Sequence, residues 1–142
     1  MMVRELLNTD LPALAELYYQ FWEESSDISE MEKQLGIIEK ENRHIILVYE
    51  ENGKVIGTVM GIICRELYGD CRPFLVVENF IVDKNHRRKG IGKFLMSALE
   101  QKAREQNCTQ MILVTEKDRL DACGFYASYG FQTNNAGYKK KL

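Results

Sequence analysis

The chain has 142 residues, 45% hydrophobic and 28% charged, which is the size and mix of one globular domain spanning residues 1–142. Nineteen basic side chains against twenty-one acidic ones give a net charge of -2, too little positive field for a general nucleic-acid binder. Four cysteines without a CxxC pair, an amino terminus unlike a signal peptide and no run of the roughly 18 apolar residues of a membrane span argue against disulfide scaffolds and membrane proteins, and for reduced thiols in the cytoplasm.

Residues 3–6 read as a short strand, followed by Asn8-Thr9-Asp10-Leu11-Pro12, where Thr9 or Asp10 caps a helix and Pro12 fits the first turn. Leu11, Leu14, Tyr18 and Phe21 recur at helical spacing as its buried stripe, with Trp22 near its end. Ser29-x-x-Glu32 is a capping box for a second helix that carries Met31, Leu35 and Ile38 on one face and ends near Asn42. Residues 45–49 and 55–63 are β-branched runs joined at Asn52-Gly53, a pair that accepts positive φ in a tight hairpin. A third apolar run, residues 74–82, is interrupted by polar Glu78-Asn79. After it come a basic glycine-containing segment and a long helix with Ile91, Phe94, Leu95, Ala98, Leu99 and Ala103 on one stripe. Residues 110–115 form another strand, 120–129 a helix closed by Gly130, and 131–142 a final hairpin around Asn134-Asn135-Ala136-Gly137. The order β-α-α-β-β-β-α-β-α-β gives an α+β fold with a mixed sheet.

A strand, a basic glycine loop and a helix together can bind a pyrophosphate, because small residues let the backbone approach and unpaired N–H groups at the helix start point at the anion. Arg87-Arg88-Lys89-Gly90-Ile91-Gly92 supplies this arrangement. Neither GxxxxGK[ST] nor GxGxxG is present, so the ligand is a different phosphate carrier; alternatively, the glycines are mere turn residues. Arg87-x-x-Gly90-x-Gly92 after a strand ending in Val82, with Phe125-Tyr126-Ala127-Ser128-Tyr129-Gly130-Phe131 further on, resembles the GNAT superfamily of acetyl-CoA-dependent acetyltransferases. The resemblance covers the core from about Val77 to Phe131.

That resemblance implies a GNAT-like fold, a mostly antiparallel sheet of six to seven strands flanked by about four helices. It implies an N-acetyltransferase that moves acetyl from acetyl-CoA to a primary amine of a small molecule or peptide by direct attack in a ternary complex, without a metal. Arg87, Arg88, Lys89, Gly90, Ile91, Gly92 and Lys93 would bind the coenzyme phosphates, and Phe80, Ile81 and Val82 the pantetheine through their backbone. Tyr126 matches the tyrosine that faces the coenzyme sulfur. Many family members carry an asparagine where this chain has Arg119, which puts one secondary coenzyme contact in doubt.

Amide formation from a thioester needs a neutral amine, donors for the developing oxyanion and an acid for a leaving thiolate whose intrinsic pKa is near ~8.5. Tyr126 can be the acid, and a backbone N–H where the Ile81 strand diverges can be the donor. Glu78 is the candidate base, at the place where several GNAT enzymes carry a glutamate that acts directly or through water; the plainer reading is a glutamate facing solvent at a sheet edge. His44 and His86 are not spaced as metal ligands, and Cys123 lacks a paired histidine and reads as a small packing residue. Glu23, Glu24, Asp27, Glu30 and Glu32 could attract a cationic amine, or simply complement a helix dipole. Two other classes compete: a coenzyme-binding module without catalysis, serving as sensor or assembly partner, and a nucleic-acid binder using Arg87-Arg88-Lys89 and Lys139-Lys140-Lys141. The sequence does not fix the oligomer, and a homodimer stays open.

Overall fold

The computed structural model describes residues 2–142, whose strands lie side by side in chain order. β1 (Met2–Glu5), β2 (His44–Glu51), β3 (Lys54–Cys64) and β4 (Phe74–Val82) pair antiparallel, and β5 (Met111–Ile112) joins β4 in parallel. Helices α1 (Leu11–Trp22) and α2 (Ile28–Glu41) separate β1 from β2, and α3 (Ile91–Glu105) is the crossover from β4 to β5. Contacts divide the chain into two units: one ends at Ile112 and holds the whole sheet, and the other, Leu113–Leu142, holds α4 (Leu120–Tyr129).

The mixed, mostly antiparallel sheet and the four helices are as expected, but the described residues form five strands rather than six or seven. Pairing of β5 stops at Val76↔Ile112, so only two residues of the expected strand 110–115 join the sheet. Residues 132–142 are exposed throughout and form no strand. Their asparagines and three consecutive lysines offer no alternating apolar face to bury, and a hairpin without one is marginal in water.

Asn52 and Gly53 take φ of 52° and 74° in the β2–β3 turn, as that hairpin requires. Two helix starts differ from expectation, one through a longer-range partner and one through a better-placed local cap. Asp10 does not cap α1; it accepts from Arg4 Nη1 and Nη2 at 2.7 and 2.9 Å and from the Leu7 N–H at 2.7 Å, tying β1 to the helix entry. The Arg4 hydrogen bond holds the Asp10 carboxyl below its ordinary range against the opposing effect of burial. Helix α2 starts at Ile28, before the expected box, with Asp27 as the cap that accepts from the Glu30 N–H at 3.1 Å.

One sheet face is covered by α1 and α2: Leu17 packs with Val48, Val55 and Ile81, and Leu11 and Leu14 with Leu35. The other face carries α3, which buries Ile91, Leu95, Met96, Leu99 and Ala103. Phe94, expected on this stripe, is 58% exposed, while Met96 is fully buried. The buried arc is centred between Leu95 and Leu99, and position 94 falls outside it. Gly57 and Gly61 let α3 sit close to β3. A Cβ at Gly61 would lie 2.7 Å from Leu99 Cδ1 and 2.9 Å from Leu75 Cδ1, and both leucines are fully buried and cannot swing into solvent. Gly61→Ala is therefore expected to destabilise the fold by about 1–3 kcal/mol through overpacking, read as a lower urea midpoint at unchanged slope; an unchanged midpoint would contradict this close approach.

Candidate functional site

The site begins where β4 loses a neighbour. Its ladder with β5 ends at Val76, so residues 77–82 pair only with β3. The Asp83 N–H donates to the Ile56 carbonyl at 2.8 Å, and the Ile81 carbonyl lies toward Gly57, so both residues turn their backbone to β3. By alternation Val82 turns its own outward, and there its carbonyl accepts from Arg87 Nε at 3.2 Å. Of the three residues expected to hold pantetheine through their backbone, Val82 thus faces the open edge and Phe80 is half-buried. Ile81 is only 4% exposed and is committed to the core and to β3.

A bulge interrupts β4 at the polar pair. Thr58 pairs with Ile81 but Met60 with Glu78, so Asn79 and Phe80 together oppose Val59. Asn79 takes φ 50°, a left-handed conformation that asparagine tolerates better than most residues. The extra residue moves Ile81 onto the same face as Glu78, the α1 side, where it joins the Leu17 cluster. Glu78 is exposed there, opposite Met60, rather than buried among its apolar neighbours in sequence. Asn79 is half-buried. On α1, burial pushes the Tyr18 phenol above its ordinary value, so the hydroxyl keeps its proton at neutral pH.

After Val82 the chain is anchored by Asp83, which is 7% exposed. Gln20 Nε2 of α1 donates to Oδ2 at 2.7 Å, the Asn85 N–H donates to Oδ1 at 2.9 Å, and His86 Nδ1 lies 2.8 Å from the same oxygen. Gln20 Oε1 also accepts from the Lys84 N–H at 3.1 Å. Burial would raise the Asp83 carboxyl, but the Gln20, His86 and Asn85 hydrogen bonds outweigh it and hold it at about 2. A depressed carboxylate stabilises fully above its unfolded value, so this anchor persists through neutral pH and is lost only as pH falls toward 2. His86 is thereby a loop anchor, and among the described residues there is no group of three or more His, Cys, Asp or Glu placed to hold a metal ion.

Beyond the anchor, Arg88 at φ 64° and Gly90 at φ 79° turn the chain into α3. Gly90 occupies the N-cap without a side-chain hydrogen bond, so the N–H groups of Ile91, Gly92 and Lys93 begin the helix uncapped. Arg87, Arg88, Lys89 and Lys93 are exposed around them, whereas the Ile91 side chain is 3% exposed and roots the helix in the core. Positive side chains and the positive end of the helix thus converge on one turn.

In the second unit, α4 ends in a Schellman turn. Gly130 takes φ 118° and donates to the Ala127 carbonyl at 3.2 Å, and the Phe131 N–H donates to the Tyr126 carbonyl at 3.0 Å. The apolar contact that accompanies such a turn is Tyr126 against Phe131, edge-on with centroids 5.7 Å apart, and Phe125 flanks Tyr126 at 5.7 Å. The motif therefore fixes the Tyr126 ring at the end of its helix. Arg119 Nη1 lies 3.4 Å from Thr115 Oγ1, and Cys123 Sγ lies near the Glu116 and Lys117 carbonyls at 3.7 and 3.9 Å, contacts suited to packing. Part of the acidic run after α1 has local work: Asp27 caps α2 and Glu30 pairs with Lys33 at 2.8 Å, while Glu23, Glu24 and Glu32 are exposed.

Gln20, Asn79 and Asp83 are the members that sequence reasoning missed. Only the polar interruption of an apolar strand at Glu78-Asn79 hinted at them; the partner on α1 lies too far away in sequence to be read from spacing.

Comparison with known proteins bears on the family and the fold. The acetyltransferase (GNAT) family profile matches residues 11–131. YhfO of Bacillus subtilis, an uncharacterised N-acetyltransferase, is 26% identical over 141 residues, covering 93% of this chain and 90% of that protein. Glucosamine 6-phosphate N-acetyltransferase of Trypanosoma brucei brucei is 25% identical over 111 residues, covering 78% of this chain and 70% of that protein. The solved structure of a putative acetyltransferase from Agrobacterium tumefaciens superposes over the whole of both chains with a TM-score of 0.93 at 26% identity. With the family profile spanning most of its length and the fold shared throughout, the chain belongs to the GNAT family of acetyltransferases.

Proposed function

We propose that this chain transfers the acetyl group of acetyl-CoA to a primary amine of a small molecule or peptide, by direct attack of the amine in a ternary complex. The observation that carries this reading is the open β4 edge leading, through the Asp83 anchor, into the uncapped and cation-lined start of α3. Pantetheine hydrogen-bonds along that edge at Phe80 and Val82, with Ile81 holding the strand from the core side. The pyrophosphate rests on the N–H groups of Ile91, Gly92 and Lys93 with Arg87, Arg88, Lys89 and Gly90 around it. Arg87 leaves the Val82 carbonyl when the coenzyme takes that place.

In the chemical step the amine nitrogen bonds to the thioester carbonyl carbon, the oxyanion is met by an open-edge N–H near the bulge, and the C–S bond breaks. Tyr126 gives its proton to the departing sulfur, and Glu78 takes one from the amine, directly or through water. The acceptor amine is charged in water, and amino sugars belong among the candidates because a relative is a glucosamine 6-phosphate N-acetyltransferase. The test is acetyl-CoA turnover, followed as free thiol, against amino sugars, polyamines, aminoglycosides, amino acids and peptides. Acetylated amine matched by released thiol is expected from one class; tight coenzyme binding with no release across the panel would return the chain to a binding module.

Glu78→Gln separates base catalysis from packing. An alkylammonium with a pKa near ~10.4 must lose a proton before attack, whereas an aniline-like amine is already neutral. The neutral-pH rate with an alkylamine is expected to fall on the order of 10²-fold, to recover in part at alkaline pH, and to change far less with the aniline-like acceptor. Equal losses for both amines at every pH would leave Glu78 without a proton-transfer role.

A further inference from the structure

We infer that Gln20 of α1 is a positioning residue for the coenzyme: its amide grips the junction of Asp83 and Lys84 and so sets the start of the loop that carries the pyrophosphate site. The inference rests on the coenzyme placement proposed above. Gln20 Nε2 donates to Asp83 Oδ2 at 2.7 Å, while Oε1 of the same amide accepts from the Lys84 N–H at 3.1 Å. A primary amide carries a donor and an acceptor on one carbon, and this junction presents an acceptor and a donor to match. The reverse orientation would set the amide oxygen against the carboxylate and the NH2 against the N–H. The two contacts therefore fix each other.

The placement follows from the way α1 crosses the end of β4. Asp83 continues the alternation of the strand, its N–H donating to the Ile56 carbonyl, so its side chain lies on the same face as that of Ile81. Leu17 packs with Ile81 in the core, and Gln20, one helical turn further on, reaches Asp83. The last apolar contact of the strand and the first polar contact of the loop thus come from one face of one helix. Within the loop, the His86 N–H donates to the Asp83 carbonyl at 2.9 Å and the Asn85 N–H to its carboxylate at 2.9 Å, contacts that fold the turn onto Asp83 without reaching another element. At its far end the loop is rooted by the Ile91 side chain, 3% exposed. Between these ends Lys84, Asn85 and residues 87–90 are exposed, and the chain must enter positive φ at Arg88 and Gly90 before α3 begins. Where the cations and the free N–H groups of α3 meet an anion depends on how this turn leaves β4, and Gln20 orients the carboxylate on which the turn is folded.

The test compares two substitutions at position 20. Gln20→Met keeps the length of the side chain and its helix propensity and deletes both hydrogen bonds. Calorimetry should show acetyl-CoA binding weakened about 10-fold, part of what a hydrogen bond to a charged group and a neutral one together contribute. The kcat at saturating acetyl-CoA should fall far less than the affinity. Gln20→Glu keeps the acceptor for the Lys84 N–H but sets a carboxylate against Asp83, and should weaken binding more than Gln20→Met. Amide hydrogen exchange at Lys84 is the readout that depends on neither binding nor turnover: faster exchange in Gln20→Met supports the grip, and unchanged exchange overturns it. Wild-type affinity in either variant, with or without a lower melting temperature, would make Gln20 merely structural, and a fall in kcat as large as the loss of affinity would overturn a role confined to the loop. A wild-type protein that does not bind acetyl-CoA would overturn the coenzyme placement and this inference with it, whereas binding by the wild type and equally by both variants would overturn this inference alone.

Discussion

Gly92→Asp is expected to weaken acetyl-CoA binding on the order of 10²-fold, because it sets a negative side chain in the proposed pyrophosphate site at the start of α3. Gly92 is the second residue of that helix, and its N–H stands beside those of Ile91 and Lys93 with no cap to occupy them. An aspartate in a first helical turn complements the macrodipole, so the variant should fold at least as well as the wild type, and a lost affinity cannot be charged to unfolding. Gly92→Asn adds similar bulk without charge and should weaken binding less. Calorimetry on the three proteins, with circular dichroism to confirm the fold, makes the comparison. Wild-type affinity in folded Gly92→Asp would move the coenzyme away from residues 87–93.

The second large effect is expected at Tyr126. Tyr126→Phe keeps the ring against Phe125 and Phe131 and the turn closed by Gly130, and removes only the proton. If Tyr126 protonates the leaving thiolate, kcat should fall on the order of 10²-fold with the acetyl-CoA dissociation constant little changed. A thioester with a better leaving group needs the acid less, so the deficit should shrink with an acetyl donor of lower thiol pKa. Wild-type kcat under conditions where chemistry limits the rate would remove the assignment.

Local chemistry decided what could be read in advance. Asn52-Gly53 announces its hairpin because few other pairs accept positive φ at both positions, and Tyr126 to Phe131 announces a helix terminator because Gly130 and the Phe131 contact are parts of one turn. The segment from Arg87 to Gly92 carries its own logic of cations and small residues before a helix. What stayed hidden depends on partners distant in the chain. Asp10 looks like a cap until Arg4 is found beside it, and Asn79 looks like a flaw in a strand until its register with β3 shows a bulge. Leu113, Val114 and Thr115 have strand-forming side chains, yet pairing depends on the neighbour, and the ladder with β4 has already ended at Ile112. On α3 the buried arc turns toward Met96 and leaves Phe94 outside it, because the i, i+3 step from Ile91 to Phe94 leads away from Leu95 and Leu99.

The most direct measurement is an initial-velocity study in which acetyl-CoA and the best amine of the panel are varied against each other, with thiol and acetylated amine both quantified. Direct attack in a ternary complex predicts double-reciprocal lines that intersect, one thiol released per amine acetylated, and no burst of thiol when the amine is withheld. Parallel lines, with a stoichiometric burst of thiol and an acetylated protein in the absence of amine, would contradict it.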